Sequence, residues 1–342
     1  MQTRYGSIDD LEVREVDRPA VGDEEVLVRV RAASLHPDVW HVVTGRPAFL
    51  RVMGGGFWRP KKPIPGTDMA GTVESVGAHV TRFRPGDAVF GETIASHQWA
   101  NGGAFAEYVA VREEWLEPKP DNVTFEQAAS VPTSGYITLL NLRGGRLIQA
   151  GQKVLVNGAG GGVGTLALQI AKALGAHVTA VDTAGKGGLL RSLGADEVMD
   201  CKRQDFTRGD VRYDFIFDVP GNYSISRCLG TLKPQGKYVL IGHQRFDSSS
   251  RRLFGLFPLF LTLIFRSFFR EQLRLGRESV PSRKEAMTFL RQLLAEGKIT
   301  PVVDSTYRLE EFPEAFRHLT QDETRGKVIL AVGSAPWESS AS

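Results

Sequence analysis

The clearest hydrophobic pattern of the chain lies between residues 153 and 176. Residues 154–156 form a short apolar run, which is typical of a strand buried on both faces. A glycine-rich turn follows, and apolar side chains then recur at helical spacing from Leu166 to Leu174. Gly175 is placed to end that helix. The pattern predicts a strand, a glycine turn and a helix in this order.

Short alternating runs precede this block. Residues 11–16 and 25–32 alternate between apolar and polar side chains, which is typical of half-buried strands. Residues 63–77, 83–89 and 103–111 combine strand-forming residues with Gly and Pro turns. Many short strands joined by such turns predict a small, mostly antiparallel, barrel-like domain.

Strands and helices alternate after the glycine turn. Strands are predicted at 177–181, 213–219 and 237–242, and helices at 189–195 and 285–296. Because this alternation builds βαβ units, the second half of the chain is predicted to form a doubly wound parallel sheet.

The glycine turn carries the first chemical indication. Its spacing is A-x-G-x-x-G over Ala159, Gly161 and Gly164. Between a strand and a helix, such a turn brings the backbone against a pyrophosphate, and the free N–H groups of the helix start face it. A plain structural turn is the alternative, but the flanking elements favour dinucleotide binding. The candidate cofactor residues of the turn are Gly158, Ala159, Gly161, Gly162 and Val163.

The strand after this helix ends at Asp182. Its distance from the turn is close to that expected for a carboxylate that binds the adenosine ribose hydroxyls. The nearby Thr183 and Lys186 offer support for a 2′-phosphate instead. Because the carboxylate would repel that phosphate, NAD(H) is favoured over NADP(H), and both stay open.

Composition limits the class of protein. The 342 residues are enough for two domains, and 42% hydrophobic with 24% charged residues is ordinary for a globular protein. A net charge of +3 is too small to indicate nucleic-acid binding. Cys201 and Cys228 have no paired spacing, which argues against a disulfide framework or a structural zinc site. No basic-then-apolar leader is seen, so a cytoplasmic setting is expected.

The order of the motifs resembles one protein family. The chain carries PGTDMAGTVESVG, FRPGDAVFG, GGAFAEYV, AASVPTSGYITLL and GQKVLVNGAGGGVG in succession, and GKITPVVDSTYRLEEF near its end. Each motif alone is weakly specific. In this order they resemble the medium-chain dehydrogenase/reductase superfamily, and within it the quinone-oxidoreductase-like branch that works without zinc. The resemblance covers nearly the whole chain.

The resemblance implies an α/β fold in which a doubly wound Rossmann domain is inserted into a mostly β, barrel-like (GroES-like) catalytic domain. The predicted boundaries are 1–118 and 262–342 for the catalytic domain and 119–261 for the dinucleotide-binding domain. The resemblance also implies a homodimer, and it places Thr133 and Thr138 near the cofactor phosphates and nicotinamide.

Zinc-dependent members of this superfamily carry Gly-His-Glu where this chain has Gly66, Thr67 and Asp68. Thr67 therefore replaces a histidine ligand, and no cysteine precedes Cys201. A catalytic zinc needs three protein ligands, and the spacing of the remaining His and Asp residues matches no zinc pattern. The prediction is an enzyme without a metal.

Two histidines are candidates for the proton donor. Reduction of a quinone or an enone needs a donor for the developing oxyanion, and imidazole titrates near neutral pH. His36 and His41 are the candidates, since by resemblance residues 36–45 line the nicotinamide cleft. Many relatives read Asn-Pro at His36-Pro37, and several carry a tyrosine at His41. Structural roles are equally open: His36 as a cap before Pro37, and His41 as a packed side chain.

Two further residues belong to this candidate site. Asp68 matches the acidic residue that follows the missing ligand, and in zinc-free relatives it is expected to hold the cleft. Trp40 is a candidate cover for the nicotinamide or substrate, with the hydrophobic core as its alternative place.

Residues 253–269 form the most apolar stretch of the chain. The stretch is shorter than the ~20 residues of a membrane span and is interrupted by Pro258 and Arg266. Three uses are considered, in this order: a dimer interface, the apolar wall of a substrate cleft, and a membrane-surface contact through 253–270.

The sequence thus predicts an NAD(P)H-dependent oxidoreductase that reduces a quinone or the C=C bond of an α,β-unsaturated carbonyl without a metal. The expected partner is a small apolar carbonyl or quinone substrate. The alternatives are a zinc-free alcohol/ketone oxidoreductase, and a nucleotide-binding sensor or interaction protein with little catalysis.

Overall fold

A computed structural model describes residues 1–51, 56–94, 100–142, 148–242, 257–268, 270–273, 281–320 and 323–333. Of the apolar stretch at 253–269, the first four residues and the last lie outside these described residues.

Strands and helices are numbered in chain order. The strands are β1 Glu25–Leu35, β2 Asp68–Val76, β3 Ala88–Glu92, β4 Tyr108–Arg112, β5 Leu116–Pro118, β6 Lys153–Asn157, β7 His177–Asp182, β8 Glu197–Asp200, β9 Tyr213–Asp218, β10 Leu232–Leu240, β11 Val303–Arg308 and β12 Lys327–Ala331. The helices are α1 Pro37–Thr44, α2 Phe125–Ala129, α3 Pro132–Leu142, α4 Gly162–Ala173, α5 Gly187–Ser192, α6 Ile225–Gly230, α7 Phe257–Ser267, α8 Arg283–Ala295 and α9 Phe312–Leu319.

Packing divides the chain into two compact units. The first unit comprises Met1–Thr133, Arg283–Ala295 and Val302–Ser342, and the second comprises Ser134–Ser282 and Glu296–Pro301. The boundaries of the catalytic and dinucleotide-binding domains stay predictions, because packing alone does not show which segments fold independently.

The first unit is built on a mostly antiparallel sheet. The strand order is β11-β12-β1-β2-β3-β5, and β4 pairs with β1. Along β1 the predicted alternation is present: Val28 and Val30 are buried, and Arg29 between them is exposed. In the register, Ser34 on β1 lies opposite Asp68 on β2. The polar residues of the candidate site therefore begin at one end of this sheet.

The predicted strand at 11–16 is wrong. These residues form no strand, and the side chains of Val13 and Val16 are exposed. Alternation alone does not make a strand, because an extended segment is stabilised by its ladder of hydrogen bonds to a neighbour. Residues 11–16 pair with no strand of the described chain.

The second unit contains the predicted parallel sheet. Its strand order is β10-β9-β6-β7-β8, and all the pairings between neighbours are parallel. The apolar run of β6 is completely buried at the centre of the sheet. The order of the chain reverses between β6 and β9. Open α/β sheets bind ligands in the crevice at the carboxyl ends of the strands on either side of such a reversal.

Helix α7 presents apolar side chains at the surface of the second unit. Leu263 packs against the core of this unit. Leu261, Ile264 and Phe265 are 48%, 56% and 64% exposed, and their spacing places them on one face of the helix. Phe268, just beyond the helix end, is 66% exposed. Within the described residues, no helix is long and apolar enough to cross a bilayer.

Candidate functional site

The glycine turn between β6 and α4 is held tightly. Gly158 has φ +77°, and a Cβ there would lie 2.8 Å from Pro220 Cδ. The N–H groups of Gly158 and Ala159 donate to the Val181 carbonyl, at 2.9 and 3.2 Å. A Cβ on Gly164 would lie 2.1 Å from the Gly158 oxygen. The turn thus needs glycine at two positions for conformation and for close packing.

Space for a ligand remains at the start of α4. Gly161 is the N-cap, and a Cβ on it would meet only the Gly158 oxygen, at 3.7 Å. The first N–H groups of a helix have no intrahelical partner and carry partial positive charge. Gly162 and Val163 supply two of them. Open space beside such donors fits the pyrophosphate of a nicotinamide dinucleotide.

The three predicted residues at the end of β7 lie together. Asp182 Oδ2 accepts a hydrogen bond from Gly160 N at 2.7 Å, and Oδ1 accepts one from Thr183 N at 2.8 Å. Lys186 Nζ lies 3.4 Å from Oδ1, and both charged side chains are largely buried. The carboxylate that was expected to repel a 2′-phosphate is therefore already paired with a cation.

Asp218 is a buried carboxylate that the sequence analysis missed. It ends β9, beside the β6–β9 reversal, and accepts hydrogen bonds from Asn157 Nδ2 at 2.8 Å, Tyr238 Oη at 2.8 Å and Gly221 N at 3.0 Å. Burial raises the pKa of Asp218, and these bonds act in the opposite direction. The sequence does contain an indication of this residue: an aspartate ends an apolar strand shortly before Pro220.

Thr133 and Thr138 bond to the protein itself. The Thr138 hydroxyl donates to the Ser134 carbonyl, one turn earlier in α3, at 2.9 Å. The Thr133 hydroxyl donates to Asp68 Oδ1 at 2.5 Å, and its N–H to Oδ2 at 3.1 Å. A contact between either threonine and the cofactor stays a prediction.

Asp68 is the centre of a buried polar network in the first unit. Its side chain is inaccessible to solvent. Besides the two bonds from Thr133, it accepts hydrogen bonds from the hydroxyls of Ser34 and Thr67, each at 3.3 Å. These donors come from β1, from the residue that precedes β2 and from the start of α3, so the carboxylate joins three separate parts of the chain.

His36 lies beside this network. It precedes α1 with φ −142° and ψ 160°, and its side chain makes no capping bond, so the capping role does not hold. Instead, Nε2 lies 2.8 Å from the Thr67 hydroxyl, and Nδ1 lies 3.6 Å from Asp38 Oδ2. Nδ1 is buried and has no hydrogen-bond partner among the described residues.

His41 is held differently. Its Nδ1 lies 2.7 Å from the Arg46 carbonyl, and the ring contacts Trp40 edge-on at 5.1 Å. Burial lowers the pKa of His41, while the bond to Arg46 and the charge of Asp38 raise it. A neutral ring that donates from Nδ1 keeps only a lone pair at Nε2. Trp40 itself packs against the core of the first unit, in agreement with its structural alternative.

Lys327 and Arg283 also lie near Asp68, and the sequence analysis missed both. Burial lowers the pKa of Lys327, and the charges of Asp68 and Asp38 act against that. Burial also lowers the pKa of Arg283, and Asp68 raises it. Lys327 opens an apolar strand, where a single lysine is normally solvated, so no sequence pattern indicated it. Among the described residues, no group of three His, Cys, Asp or Glu side chains is placed to hold a metal ion.

Two family descriptions match this chain. "Alcohol dehydrogenase GroES-like domain" matches residues 22–121, and "Zinc-binding dehydrogenase" matches residues 193–330. The second description names zinc, although Thr67 stands where zinc-dependent members carry a histidine.

Similar proteins extend along almost the whole chain. The chloroplast envelope quinone oxidoreductase homolog of Arabidopsis thaliana is 30% identical over 347 residues, covering 95% of this chain and 95% of the relative. The 2-methylene-furan-3-one reductase of Solanum lycopersicum is 28% identical over 340 residues, covering 96% and 77%. The Escherichia coli quinone oxidoreductase complexed with NADPH superposes with a TM-score of 0.74 at 23% identity, covering 96% and 99%, which shows a shared fold.

These similarities confirm the predicted fold class, with a GroES-like domain and a parallel-sheet Rossmann domain. The chain belongs to the medium-chain dehydrogenase/reductase superfamily, in its quinone-oxidoreductase-like branch.

Proposed function

We propose that this protein uses NAD(P)H to reduce a quinone or the C=C bond of an α,β-unsaturated carbonyl, without a metal. The observation that carries the proposal is the open space beside Gly161 at the start of α4, next to the Asp182–Lys186 pair. A pyrophosphate fits the former, and an adenosine ribose the latter. The names of the Arabidopsis and tomato relatives supply the substrate class.

The lack of a metal in this proposal is supported by what replaces the zinc ligand. The Thr67 hydroxyl contacts His36 Nε2 and donates to Asp68 Oδ1. Both Asp68 oxygens already accept hydrogen bonds from the protein. Hydroxyl and amide donors thus satisfy the hydrogen-bonding capacity of this carboxylate, and Lys327 and Arg283 act on its charge.

Bound nicotinamide supplies the hydride, and the protein supplies position and a proton. His36 is the better donor of the two histidines. Neutral His41 has no proton at Nε2, since its Nδ1 proton is used on the Arg46 carbonyl. In His36, Nε2–H donates to Thr67, whose own proton goes to Asp68, and Nδ1 faces the Asp38 carboxylate. His36 Nδ1 thus lies beside a carboxylate, whereas His41 Nδ1 is used on a carbonyl.

The cofactor preference follows from the end of β7. A carboxylate oxygen accepts more than one hydrogen bond, so Asp182 retains capacity for a ribose hydroxyl. This favours NADH. Lys186 is the residue that would hold a 2′-phosphate, and its pairing with Asp182 opposes that use.

The test is a parallel titration of the purified protein with NADH and NADPH, followed by turnover against a quinone, an enone and a simple ketone. Turnover with the quinone or enone is the expected result. Turnover with the ketone alone would instead indicate an alcohol/ketone oxidoreductase. Tight cofactor binding without turnover on any of the three would indicate a nucleotide-binding sensor.

A further inference from the structure

A run of unbalanced positive charge lies between Asp38 and Asp68. Residues 39–67 contain no Asp or Glu and five Lys or Arg, so this segment is more positive than the chain as a whole, whose net charge is +3. The five are Arg46, Arg51, Arg59, Lys61 and Lys62. All but Arg51 are exposed, and none of the five forms an ion pair with an acidic side chain in the part of the chain that the structure describes. Their charge is therefore available to an external anionic partner.

Two aromatic side chains lie exposed in the same segment. Phe57 and Trp58 are 59% and 85% exposed, and their rings are in edge-on contact with centroids 4.7 Å apart. Among the described residues, Trp58 is the most exposed large hydrophobic side chain. Tryptophan is favoured where its apolar body meets an apolar phase and its N–H meets water, as at a membrane surface. An aromatic pair next to unpaired cations therefore has the composition of an interfacial membrane contact.

The backbone that carries these side chains is fixed at both ends. The Tyr5 hydroxyl donates a hydrogen bond to the Gly56 carbonyl at 2.6 Å, and Asn101 Nδ2 donates one to the Lys62 carbonyl at 2.7 Å. Between these two bonds, Pro60 is buried and the residue on either side of it is exposed. Because the backbone is already ordered, the segment loses little conformational freedom when it binds a partner.

We propose that residues 57–62 are a docking segment for an anionic lipid surface. Its three cations bind the lipid headgroups, and its two aromatic rings enter the interface. A second copy of this chain is a poorer partner, because a two-fold contact through this segment would bring like charges together. A nucleic acid is poorer as well, because its phosphates follow an extended basic groove. The rest of this chain is net negative, since residues 39–67 alone hold five cations and the whole chain only +3.

This inference does not depend on the proposed reductase activity, and lipid binding tests it directly. The purified chain is sedimented with vesicles of phosphatidylcholine alone and with vesicles that also contain phosphatidylserine. Binding is expected to the mixed vesicles only, and to weaken as salt is added. The double variant Lys61→Gln, Lys62→Gln is expected to lower the vesicle partition coefficient about 25-fold, at about fivefold for each cation near the surface. Trp58→Ser is expected to lower it about tenfold, through the loss of buried apolar area.

Two control variants change exposed positions of the same unit. The double variant Arg84→Gln, Lys284→Gln removes the same charge, and Val13→Ser removes an exposed apolar side chain. Both controls are expected to bind the mixed vesicles as the wild type does. An equal loss of binding in the two double variants would make the binding an effect of net charge alone and would overturn the inference.

Other outcomes would also overturn the docking segment. Among them are no binding to the mixed vesicles, and binding that Trp58→Ser leaves unchanged. A preference for duplex DNA over the mixed vesicles would indicate a nucleic acid as the partner. A change from dimer to monomer in Trp58→Ser would place a second copy of the chain on the segment. Loss of vesicle binding in Leu261→Ser alone would place the lipid contact on α7.

Discussion

Lys186 Nζ lies 3.4 Å from Asp182 Oδ1, and both side chains are largely withdrawn from water. Gly160 N donates to the other carboxylate oxygen, so the pair is fastened to the glycine turn. The residue expected to select NADH and the residue expected to hold a 2′-phosphate thus neutralise one another. On the proposed function, the preference for NADH or NADPH is expected to depend on the balance between these two adjacent charges.

Asp182→Ser is expected to shift preference toward NADPH. Removing the carboxylate removes a ribose acceptor and frees Lys186 for a phosphate. We expect the ratio of the two dissociation constants to change by about tenfold, which corresponds to about 1.4 kcal/mol. Fluorescence titration with both cofactors measures it. Asp196→Asn, at the Lys172–Asp196 pair elsewhere in the same unit, is the control. An unchanged ratio would remove Asp182 from the cofactor site.

Gly161→Val is expected to abolish cofactor binding while the protein stays folded. The structure has room for a Cβ at this position, so the variant is expected to fold. The valine side chain would, however, occupy the space that a bound pyrophosphate needs. Thermal unfolding and NADH titration separate the two effects. Undiminished affinity in a folded variant would refute the assignment of the turn.

Gly164→Ala provides the contrast to that variant. Its Cβ would lie 2.1 Å from the Gly158 oxygen, so the turn must shift to accommodate it. Overpacking of this kind costs about 1–3 kcal/mol of unfolding free energy. Gly230→Ala has nothing within 4 Å of the added Cβ and serves as its control in the same denaturant titration. Equal stabilities would contradict the close packing at Gly164.

His36→Asn is expected to lower kcat by about a hundredfold, the usual size of a lost general acid. Cofactor affinity is expected to stay within about twofold, because this ring bonds to Thr67 and not to the glycine turn. His41→Ala is expected to lower kcat by a smaller factor, since the ring proton of His41 is used on the Arg46 carbonyl. Steady-state kinetics and NADH titration of both variants decide the order. The reverse order would return His41 to the role of donor.

The burial of Asp218 predicts a specific dependence of stability on pH. Its pKa is raised in the folded state, so its contribution to stability is complete below the unfolded value near 3.9 and is lost as pH rises through the folded value. Relative to Asp218→Asn, the wild type is expected to lose about 1.4 kcal/mol for each unit of raised pKa. Urea unfolding of both proteins between pH 4 and 8 measures the difference. A constant difference would contradict the raised pKa.

Asp196 is expected to show the opposite dependence of stability on pH in the same experiment. Burial raises its pKa, but hydrogen bonds from Lys172 and Val178 N outweigh burial and lower it. Stability from this group is therefore present above the ordinary Asp pKa and lost as pH falls through the lowered value. Asp196→Asn and Asp218→Asn should consequently diverge from the wild type in opposite pH directions.

A substitution on the exposed face of α7 tests the predicted homodimer. Ile264 and Leu261 are half exposed, and on the dimer interpretation a second copy covers them. Ile264→Arg is expected to convert a dimer to a monomer by light scattering, since a buried arginine would lack a partner. Thr262→Arg, an exposed position on another face, is the comparison. A dimer that survives Ile264→Arg would place the interface elsewhere.

Local pattern predicted the second unit closely. The apolar run, glycine turn and helix appear as β6 and α4, and the strand ending at Asp182 is β7. These elements are consecutive in the chain and their formation depends on nearby residues, so residue spacing is enough to predict them. The failure at 11–16 shows the limit, because that segment has the right alternation and no neighbour to pair with.

The sequence by itself determined the superfamily, the order of the elements and the glycine turn, because each depends on neighbouring residues or on motif order. Only the tertiary structure brought His36, Asp68 and Thr133 into one buried network and placed Lys327 where it interacts with Asp68 electrostatically. These residues come from distant segments whose meeting depends on strand order and register. Burial lowers the pKa of Lys327 and the charges of Asp68 and Asp38 oppose that, and neither effect is encoded in the identity of a single residue.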